Sequence, residues 1–423
     1  MATKHYEWIP GDPPPVLGRH SIAKHKVLQA YLEKYVAILA GRPVQDQLKL
    51  TLVDGFAGGG VYLHPDTNER LPGSPLIMLQ AMSAAEVAAN EVRRKQFFLN
   101  VEYYFVEKLA PTIEYLRSEL RASKEAHVQS ERIQVLCGSF SEHLDAILTR
   151  VEKRGRSRRV IFVLDQYGFS DVQIADLRTI FKRLPNAEVI LTIAIDWLID
   201  HWTESVCYDQ ILANLGINLG AAYAASVKRE NPLDWRPLIQ HSLHRELFMN
   251  SGAEYYTPFF IHSVEAHRAY WLLHFSGHSK ARDAMMQLHW ELENHFQHFG
   301  QAGFFMLGYD PRRDCEKTGA RKLSFGFDSF AAEETKYALL EQLPRRVAES
   351  KHGISFGRFF NSVVNETPAT KDMLAQQISE LSREKELEIR TADGRLRRNG
   401  VQIHDDDIII RPQQRLLLPQ HIR

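Results

Sequence analysis

Apolar strands and amphipathic helices alternate along the first half of the chain, and this alternation constrains the fold more than any other feature. Five segments read as strands, and they are LKLTLVDG, NVEYYFVEK, RIQVLCGSF, RRVIFVLDQYGFS and AEVILTIAIDWL. They are almost continuously apolar, which is typical of strands buried on both faces of a parallel sheet. Helical segments separate them, so the pattern predicts an α/β domain with right-handed crossovers.

A chain of 423 residues is too long for one ordinary core, and its pattern changes along its length. We expect an irregular leader over 1–19, a Rossmann-like domain over 20–300 and a small α+β domain over 325–418. Residues 200–258 read as an insertion or cap in the Rossmann-like domain, and a hairpin after them adds antiparallel strands at the sheet edge. The last domain has three amphipathic segments followed by two short strands, which is the order of a winged helix.

Composition limits the classes of function. Acidic and basic residues balance at 52 each, so the charge of the whole chain neither favours nor opposes a nucleic-acid partner. Three cysteines without close spacing predict no disulfide framework and no thiolate zinc site. No signal peptide and no membrane span are apparent, so we expect a cytoplasmic protein. His295 and His298 have the spacing of a metal-ligand pair, but no third ligand is evident and no metal is expected.

Informative residues follow four of the predicted strands at the point where each strand ends. In strand order they are Asp54, Gly55, Phe56, Gly58 and Gly60 after the first; Glu107 after the second; Ser139 after the third; and Asp165, Gln166, Tyr167 and Gly168 after the fourth. The carboxyl ends of parallel strands meet at one edge of a sheet, and sheets of this kind bind their ligands there. We therefore expect these residues to form one site.

The residue types suit an adenosyl ligand and a group-transfer reaction. Glycines let the backbone approach a ligand closely, and Glu107 can accept hydrogen bonds from ribose hydroxyls. Ser139 would lie beside the adenine, while Asp165 and Tyr167 would hold and stack an amino or hydroxyl acceptor. Each feature alone also has a structural interpretation: a glycine turn can serve packing, and a strand-end glutamate can be a solvated charge. The succession of all four favours the ligand site.

The spacing argues against two common nucleotide ligands. A nicotinamide site has its ribose-binding acid about 20 residues beyond the glycines, with a helix that starts at once. Here Glu107 lies much further along the chain, and the next helix is predicted to start only near Ser74. No GxxxxGK[ST] motif is present, so a P-loop is excluded. A ligand without phosphates, such as S-adenosylmethionine, fits this pattern better.

Several segments resemble the three-Cys-motif partner protein family, namely AKHKVLQAYL, DGFAGGG, GSPLIML, FVEK, LDQYGFS and YWLLHFSGHSKARDAMMQLHW. The resemblance implies a class I methyltransferase fold that uses S-adenosylmethionine, a winged-helix-like tail, and a radical-SAM-like partner with a three-cysteine motif. It also implies a DPYG-like acceptor loop formed by Asp165, Tyr167 and Gly168. The chain has Gln166 where that loop has proline, and Ser139 where many relatives of the wider class have aspartate.

Basic residues elsewhere give secondary predictions. Lys24 and His25 lie on the helix before the first strand; they can reach over a cofactor pocket, although a solvated helix face is the favoured interpretation. In the tail, a presumed recognition helix and wing predict contacts to DNA or RNA phosphates. The residues are Lys371, Arg395, Arg397 and Arg398. The acidic run at 405–407 dilutes this charge, and winged helices also dock proteins.

Two functions follow from these observations. The first is an S-adenosylmethionine-dependent methyltransferase that acts on nucleic acid, at the amino group of a base, together with the cysteine-motif partner. The alternative is a catalytically weak or silent subunit with the methyltransferase fold, which binds the partner or nucleic acid. Gln166 and Ser139 are the residues that motivate the alternative.

Overall fold

The structure is a computed structural model. It describes residues 6–42, 45–155, 158–200, 202, 206–232, 235–263, 268–292, 296–297, 302–304, 327–398 and 402–412. The chain divides into two compact units, of which the first is Met1–His298 with Tyr309–Gly319, and the second is Phe299–Gly308 with Ala320–Arg423. None of the described helices is long and apolar enough to cross a membrane.

The first unit alternates strands and helices as predicted. Its strands are β1 (Gln47–Asp54), β2 (Val61–Leu63), β3 (Arg70–Pro72), β4 (Phe98–Glu107), β5 (Ile133–Cys137), β6 (Val160–Asp165), β7 (Ala187–Ile193), β8 (Tyr255–Ser263), β9 (Arg268–Ser276) and β10 (Phe296–Gln297). Its helices are α1 (Arg19–Ala40), α2 (Ser74–Val92), α3 (Ala110–Ala122), α4 (Lys124–Val128), α5 (Phe140–Lys153), α6 (Ile174–Arg183), α7 (Ile195–Asp200), α8 (Val206–Asn214), α9 (Ala221–Glu230), α10 (Trp235–Ser251) and α11 (Ser279–Glu291).

Eight of these strands form one sheet in the order β10-β8-β9-β7-β6-β1-β4-β5. Strands β5, β4, β1, β6 and β7 are parallel, and β9 runs antiparallel to both β7 and β8. This is the Rossmann-like sheet of class I methyltransferases with an antiparallel edge hairpin, so the predicted fold class is confirmed. Strand β1 lies in the middle and β7 is buried along its whole length, as expected for apolar strands covered on both faces.

Helix α1 shows how the sequence pattern sets the packing. Its apolar residues recur at helical spacing and are buried, and Gly41 follows its end as predicted. They are Val27, Leu28, Tyr31, Leu32 and Val36. The helix packs against α2 and α11. Lys24 of this helix reaches Asp165 at the end of β6, which is one of the strands that carry the predicted site.

The segment between the glycine loop and α2 contains two short paired strands. Strands β2 and β3 form a hairpin there, and the amide of Gly73 donates to the carbonyl of Gly60 at 2.7 Å. Gly73 is also the N-cap of α2, so the helix starts at Ser74, as the sequence predicts. The hairpin therefore brings the start of α2 back beside the glycine loop.

Four helices, α7 to α10, lie between β7 and β8, where an insertion or cap is predicted. Helix α10 packs against α6 and α9. Side chains of Leu243 and Ile239 are fully buried in this region, so these helices carry a core of their own beside the sheet.

The second unit is a winged helix. It contains α12 (Ser329–Ala348), β11 (Ile354–Ser355), α13 (Phe356–Val363), α14 (Lys371–Arg383), β12 (Glu388–Arg390) and β13 (Ile408–Ile410). Its strands form an antiparallel sheet in the order β11-β13-β12. The predicted winged-helix fold is confirmed; the short strand β11 was not predicted, because two residues carry too little pattern to be recognised.

Candidate functional site

The glycine loop after β1 is covered by an aromatic side chain from the leader. A β-carbon on Gly58 would lie 2.8 Å from Cη2 of Trp8, and one on Gly59 would overlap the same indole. Trp8 is 6% exposed, and its Nε1 donates to the carbonyl of Val61 at 2.8 Å. The leader is held in place because Leu17 N donates to Leu63 O at 2.9 Å. The close neighbour of these two glycines is therefore Trp8.

The other two glycines of the predicted motif also face protein. A β-carbon on Gly55 would lie 2.6 Å from Leu164, and one on Gly60 would lie 2.8 Å from Leu116. Gly60 has φ of +81°, a conformation that favours glycine. Internal packing and backbone conformation explain these glycines, and a cofactor contact at Gly55, Gly58 or Gly60 stays a prediction.

Glu107 lies beside the glycine loop, as the sequence predicts. Its Oε2 accepts from Gly58 N at 3.0 Å, and its Oε1 accepts from the amides of Lys108 and Leu109 at 2.8 and 2.9 Å. Three backbone donors fix the carboxylate at the end of β4. A carboxylate has about four acceptor positions, so this one keeps capacity for a ligand hydroxyl.

Asp54 is fully buried at the end of β1. Its Oδ1 accepts from Phe56 N at 3.1 Å, and its Oδ2 has no hydrogen-bond partner among the residues that the structure describes. Burial raises the pKa of Asp54 to about 7; Ser74 and the Phe56 amide oppose this, and the negative charges of Asp165 and Glu107 add to it. The three strand-end carboxylates thus lie near enough to influence one another.

Asp165 at the end of β6 forms an ion pair with Lys24 of α1. The Nζ atom of Lys24 lies 2.6 Å from Oδ1 and 2.7 Å from Oδ2. Burial raises the pKa of Asp165, but the charge and hydrogen bonds of Lys24, with the Thr192 hydroxyl, outweigh it and hold the pKa below its usual value. The solvated-face interpretation of Lys24 is therefore wrong, because its side chain is only 10% exposed.

Two histidines of α1 flank this ion pair. Burial first, and then the positive charge of Lys24, lower the pKa values of His20 and His25 to about 4, although Asp165 opposes the shift. Both imidazoles are therefore neutral at pH 7. The ring of His20 stacks on Tyr270 of β9, with centroids 4.8 Å apart and planes at 5°.

The loop after β6 is held by the residue that replaces proline. The Oε1 of Gln166 accepts from the amides of Asp171 and Val172 at 3.0 and 3.1 Å, and the side chain is 2% exposed. Gly168 O accepts from Ala194 N at 3.0 Å, while Tyr167 is 39% exposed. Gln166 thus supplies by hydrogen bonding the rigidity that proline would supply by its ring.

Ser139 has a structural role that its sequence position did not reveal. It is the N-cap of α5, with its amide donating to Glu142 Oε2 at 2.7 Å and its hydroxyl accepting from Glu142 N at 3.4 Å. This reciprocal arrangement is a capping box. The contact of Ser139 with an adenine stays a prediction.

An aromatic cluster lies next to the carboxylates, and the sequence pattern did not predict it. The Tyr62 ring lies 5.2 Å from those of Tyr6 and Trp8 and 5.9 Å from that of His25, measured between centroids. Burial, followed by the charge of Asp165, raises the pKa of Tyr62 well above its usual value. The aromatic pair in YEW, within a leader that otherwise lacks pattern, was the available signal.

The basic residues predicted to contact nucleic acid fall into two groups. Lys371 forms an ion pair with Asp405 and lies 5.6 Å from the Phe356 ring centroid. Arg397 Nε lies 2.7 Å from Asp407 Oδ2, and these side chains are 16% and 3% exposed. Arg395 and Arg398 are exposed on the wing. Two of the four predicted contacts are therefore residues that hold the winged helix together.

No group of three metal-ligating side chains occurs among the residues that the structure describes. His289 is fully buried and stacks on Phe259, with centroids 3.4 Å apart. His295 and His298, the pair with metal-ligand spacing, lie outside the described residues.

The strand-end residues fit an adenosyl group. Glu107 offers a fixed carboxylate at the end of β4, and Asp54 offers a buried, unpartnered Oδ2. The β2–β3 hairpin lies between the glycines and α2 along the chain, and Gly73, the N-cap of α2, donates to Gly60 O at 2.7 Å. With the leader in this position, however, Trp8 covers the faces of Gly58 and Gly59.

Comparison with known families gives a match in the tail. Residues 308–394 match the family model described as a GMT-like wHTH domain, that is, a winged helix-turn-helix. No curated protein matches the chain in sequence.

Among solved structures, the chain is similar to a Legionella pneumophila protein of the family DUF519, with 10% identity, coverage of 58% of this chain and 83% of that one, and a TM-score of 0.33. It is similar to the precorrin-6y C5,15-methyltransferase of Geobacter metallireducens, with 10% identity, coverage of 57% of this chain and 87% of that one, and a TM-score of 0.24. It is also similar to the plantazolicin methyltransferase BamL in complex with a desmethylPZN analog and SAH, with 11% identity, 62% and 87% coverage, and a TM-score of 0.27. The assignment of the methyltransferase fold rests on the strand order of the sheet.

Proposed function

We propose that this protein is an S-adenosylmethionine-dependent methyltransferase whose acceptor is the amino group of a nucleic-acid base. The observation that carries the proposal is the convergence of Asp54, Glu107 and Asp165 at the ends of three adjacent parallel strands. Glu107 is held there by Gly58 N at 3.0 Å, and Asp165 is held by Lys24 at 2.6 Å. In sheets of this order ligands bind beyond the carboxyl ends of the strands.

The residues divide into a cofactor side and an acceptor side. When bound, the cofactor supplies a methyl group made electrophilic by its sulfonium. Glu107 would bind the ribose hydroxyls, and Asp165 would accept a hydrogen bond from the amino group to be methylated. Gln166 keeps the acceptor loop rigid, so positioning would supply much of the rate. Tyr167, which is 39% exposed, would stack on a planar acceptor.

A protein partner belongs to the same proposal. The resemblance in the glycine and LDQYG segments supports a radical-SAM-like partner with a three-cysteine motif. The winged helix is a second candidate surface for a protein partner. Lys371 and Arg397 form ion pairs with aspartates of that domain, which leaves fewer basic side chains for nucleic acid. Co-purification of the tagged chain with this partner from the native host tests the association.

Cofactor binding is the first test. Equilibrium dialysis with labelled S-adenosylmethionine should show saturable binding to the wild type, and Glu107→Ala should weaken it by about tenfold or more, because hydrogen bonds to a charged group are lost. Glu114→Ala is the matched control, since Glu114 is an exposed residue of α3. Absence of binding to the wild type at high micromolar concentration would overturn the proposal.

A silent binding subunit is the second candidate function, and one observation favours it. Trp8 covers Gly58 and Gly59, so the leader closes part of the loop for which a cofactor contact is predicted. This candidate predicts cofactor binding or partner binding without methyl transfer to any base. Robust methyl transfer by the chain alone would exclude it.

A further inference from the structure

The Lys24 ammonium has one more donor than Asp165 uses. An ammonium group carries three N–H donors. The two carboxylate oxygens of Asp165 accept from Nζ at 2.6 and 2.7 Å, which engages at most two of them. Within the part of the chain that the structure describes, Nζ has no other hydrogen bond. Because the side chain is only 10% exposed, a donor is left in a nearly dry position.

Asp165 has one hydrogen-bond acceptor position that the protein does not use. A carboxylate offers about four lone-pair positions. Lys24 takes two of them and the Thr192 hydroxyl takes a third. One acceptor position is left, and the Asp165 side chain is 33% exposed, so a ligand can reach it. The pair therefore offers one donor and one acceptor side by side.

Of the three basic side chains of α1 near Asp165, Lys24 is the one that is charged at pH 7. His20 and His25 are neutral at pH 7, because burial and the nearby ammonium disfavour their protonation. A charged donor in a poorly solvated position binds a lone pair strongly and rejects an N–H group. The atom beside the amino group that receives the methyl must therefore present a lone pair to Lys24.

We propose that Lys24 is a specificity-determining residue that binds the ring nitrogen adjoining the amino group of the acceptor base. The amino group donates to Asp165 while the ring nitrogen accepts from Lys24, so the pair reads an amidine edge such as that of adenine or cytosine. Uracil has no amino group and is excluded. This inference rests on the proposed methyltransferase function and adds to it the chemistry of the acceptor.

The test removes the ring nitrogen and the lysine separately. Methyl transfer is measured on single-stranded oligonucleotides that contain adenine or 1-deazaadenine, and cytosine or 3-deazacytosine. For the wild type we expect kcat/KM to fall about tenfold or more when the ring nitrogen is removed, the effect of one charged hydrogen bond. Lys24→Met should lower kcat/KM on the natural bases and lose the discrimination. Lys26→Met, an exposed lysine of the same helix, should behave as the wild type.

One further variant separates poor folding from lost specificity. Lys24→Met with Asp165→Asn removes the carboxylate charge that Lys24→Met leaves without its partner, and this double variant should also show no discrimination if Lys24→Met alone folds poorly. A wild type that treats base and deaza-base alike, or a Lys24→Met variant that still discriminates, overturns the inference. A wild type that binds S-adenosylmethionine and methylates none of these oligonucleotides also overturns it, whereas absence of cofactor binding overturns the proposed function itself.

Discussion

The indole of Trp8 occupies the position that a side chain on Gly59 would need. A β-carbon on Gly59 would overlap the indole, and one on Gly58 would lie 2.8 Å from it. Trp8 is 6% exposed and hydrogen-bonds to the Val61 carbonyl. The leader is therefore part of the candidate site, because it packs on the glycine loop that follows β1.

Gly59→Ala should destabilise the protein by about 1–3 kcal/mol, because the added methyl displaces Trp8 or strains the loop. The measurement is urea unfolding at constant pH. Trp8→Ala combined with Gly59→Ala should cost less than the sum of the two single changes, since the overlap is gone. Gly168→Ala is the control: no atom lies within 4 Å of its β-carbon, so it should leave the unfolding free energy unchanged. Equal effects at 59 and 168 would contradict the prediction.

The sequence predicted the strands, the helices and the meeting of the strand-end residues at one edge of the sheet, because these follow from local periodicity and from the geometry of parallel sheets. The side chains that contact the site residues could not be predicted in the same way. Trp8 reaches the glycine loop from an irregular segment, and Lys24 of α1 reaches Asp165 at the end of β6. Such contacts depend on how elements pack, and a single sequence gives no periodic signal for them.

Gln166→Leu should loosen the acceptor loop. The Oε1 atom accepts from the amides of Asp171 and Val172, and Val172 is buried, so its amide would be left without a partner at a cost of about 1–3 kcal/mol. Hydrogen exchange of these two amides should be faster by about tenfold or more. Gln166→Pro should act in the same direction, because proline lacks the acceptor. Gln29→Leu, at an exposed position of α1, should leave exchange in this loop unchanged.

Asp54→Asn should change how stability depends on pH. Burial raises the pKa of Asp54 to about 7 in the folded protein, above its value of 3.8 in an unfolded chain. The native state then binds a proton more tightly than the unfolded state does, so this group makes stability fall as pH rises from about 4 to about 7. Wild type and Asp54→Asn should be compared by urea unfolding at pH 5 and pH 8.

We expect the variant to gain stability relative to the wild type between these two pH values, by an amount on the order of a few kcal/mol. His20 and His25 have lowered pKa values and act in the opposite sense, but they are present in both proteins and cancel in the difference. A difference that is independent of pH would show that Asp54 is ionised throughout this range.

Arg397→Ala should destabilise the winged helix, whereas Arg395→Ala should not. Arg397 lies 2.7 Å from Asp407, and because these side chains are 16% and 3% exposed, its loss leaves a carboxylate buried without its counter-charge, at a cost of about 3 kcal/mol. Arg395 is 86% exposed, so its pair with Asp393 should contribute less than about 1 kcal/mol. Thermal unfolding of the full chain, with hydrogen exchange in β12 and β13, measures both. Equal effects of the two variants would contradict the structural role of Arg397, and weaker binding of nucleic acid by Arg395→Ala alone would identify the wing as a phosphate contact.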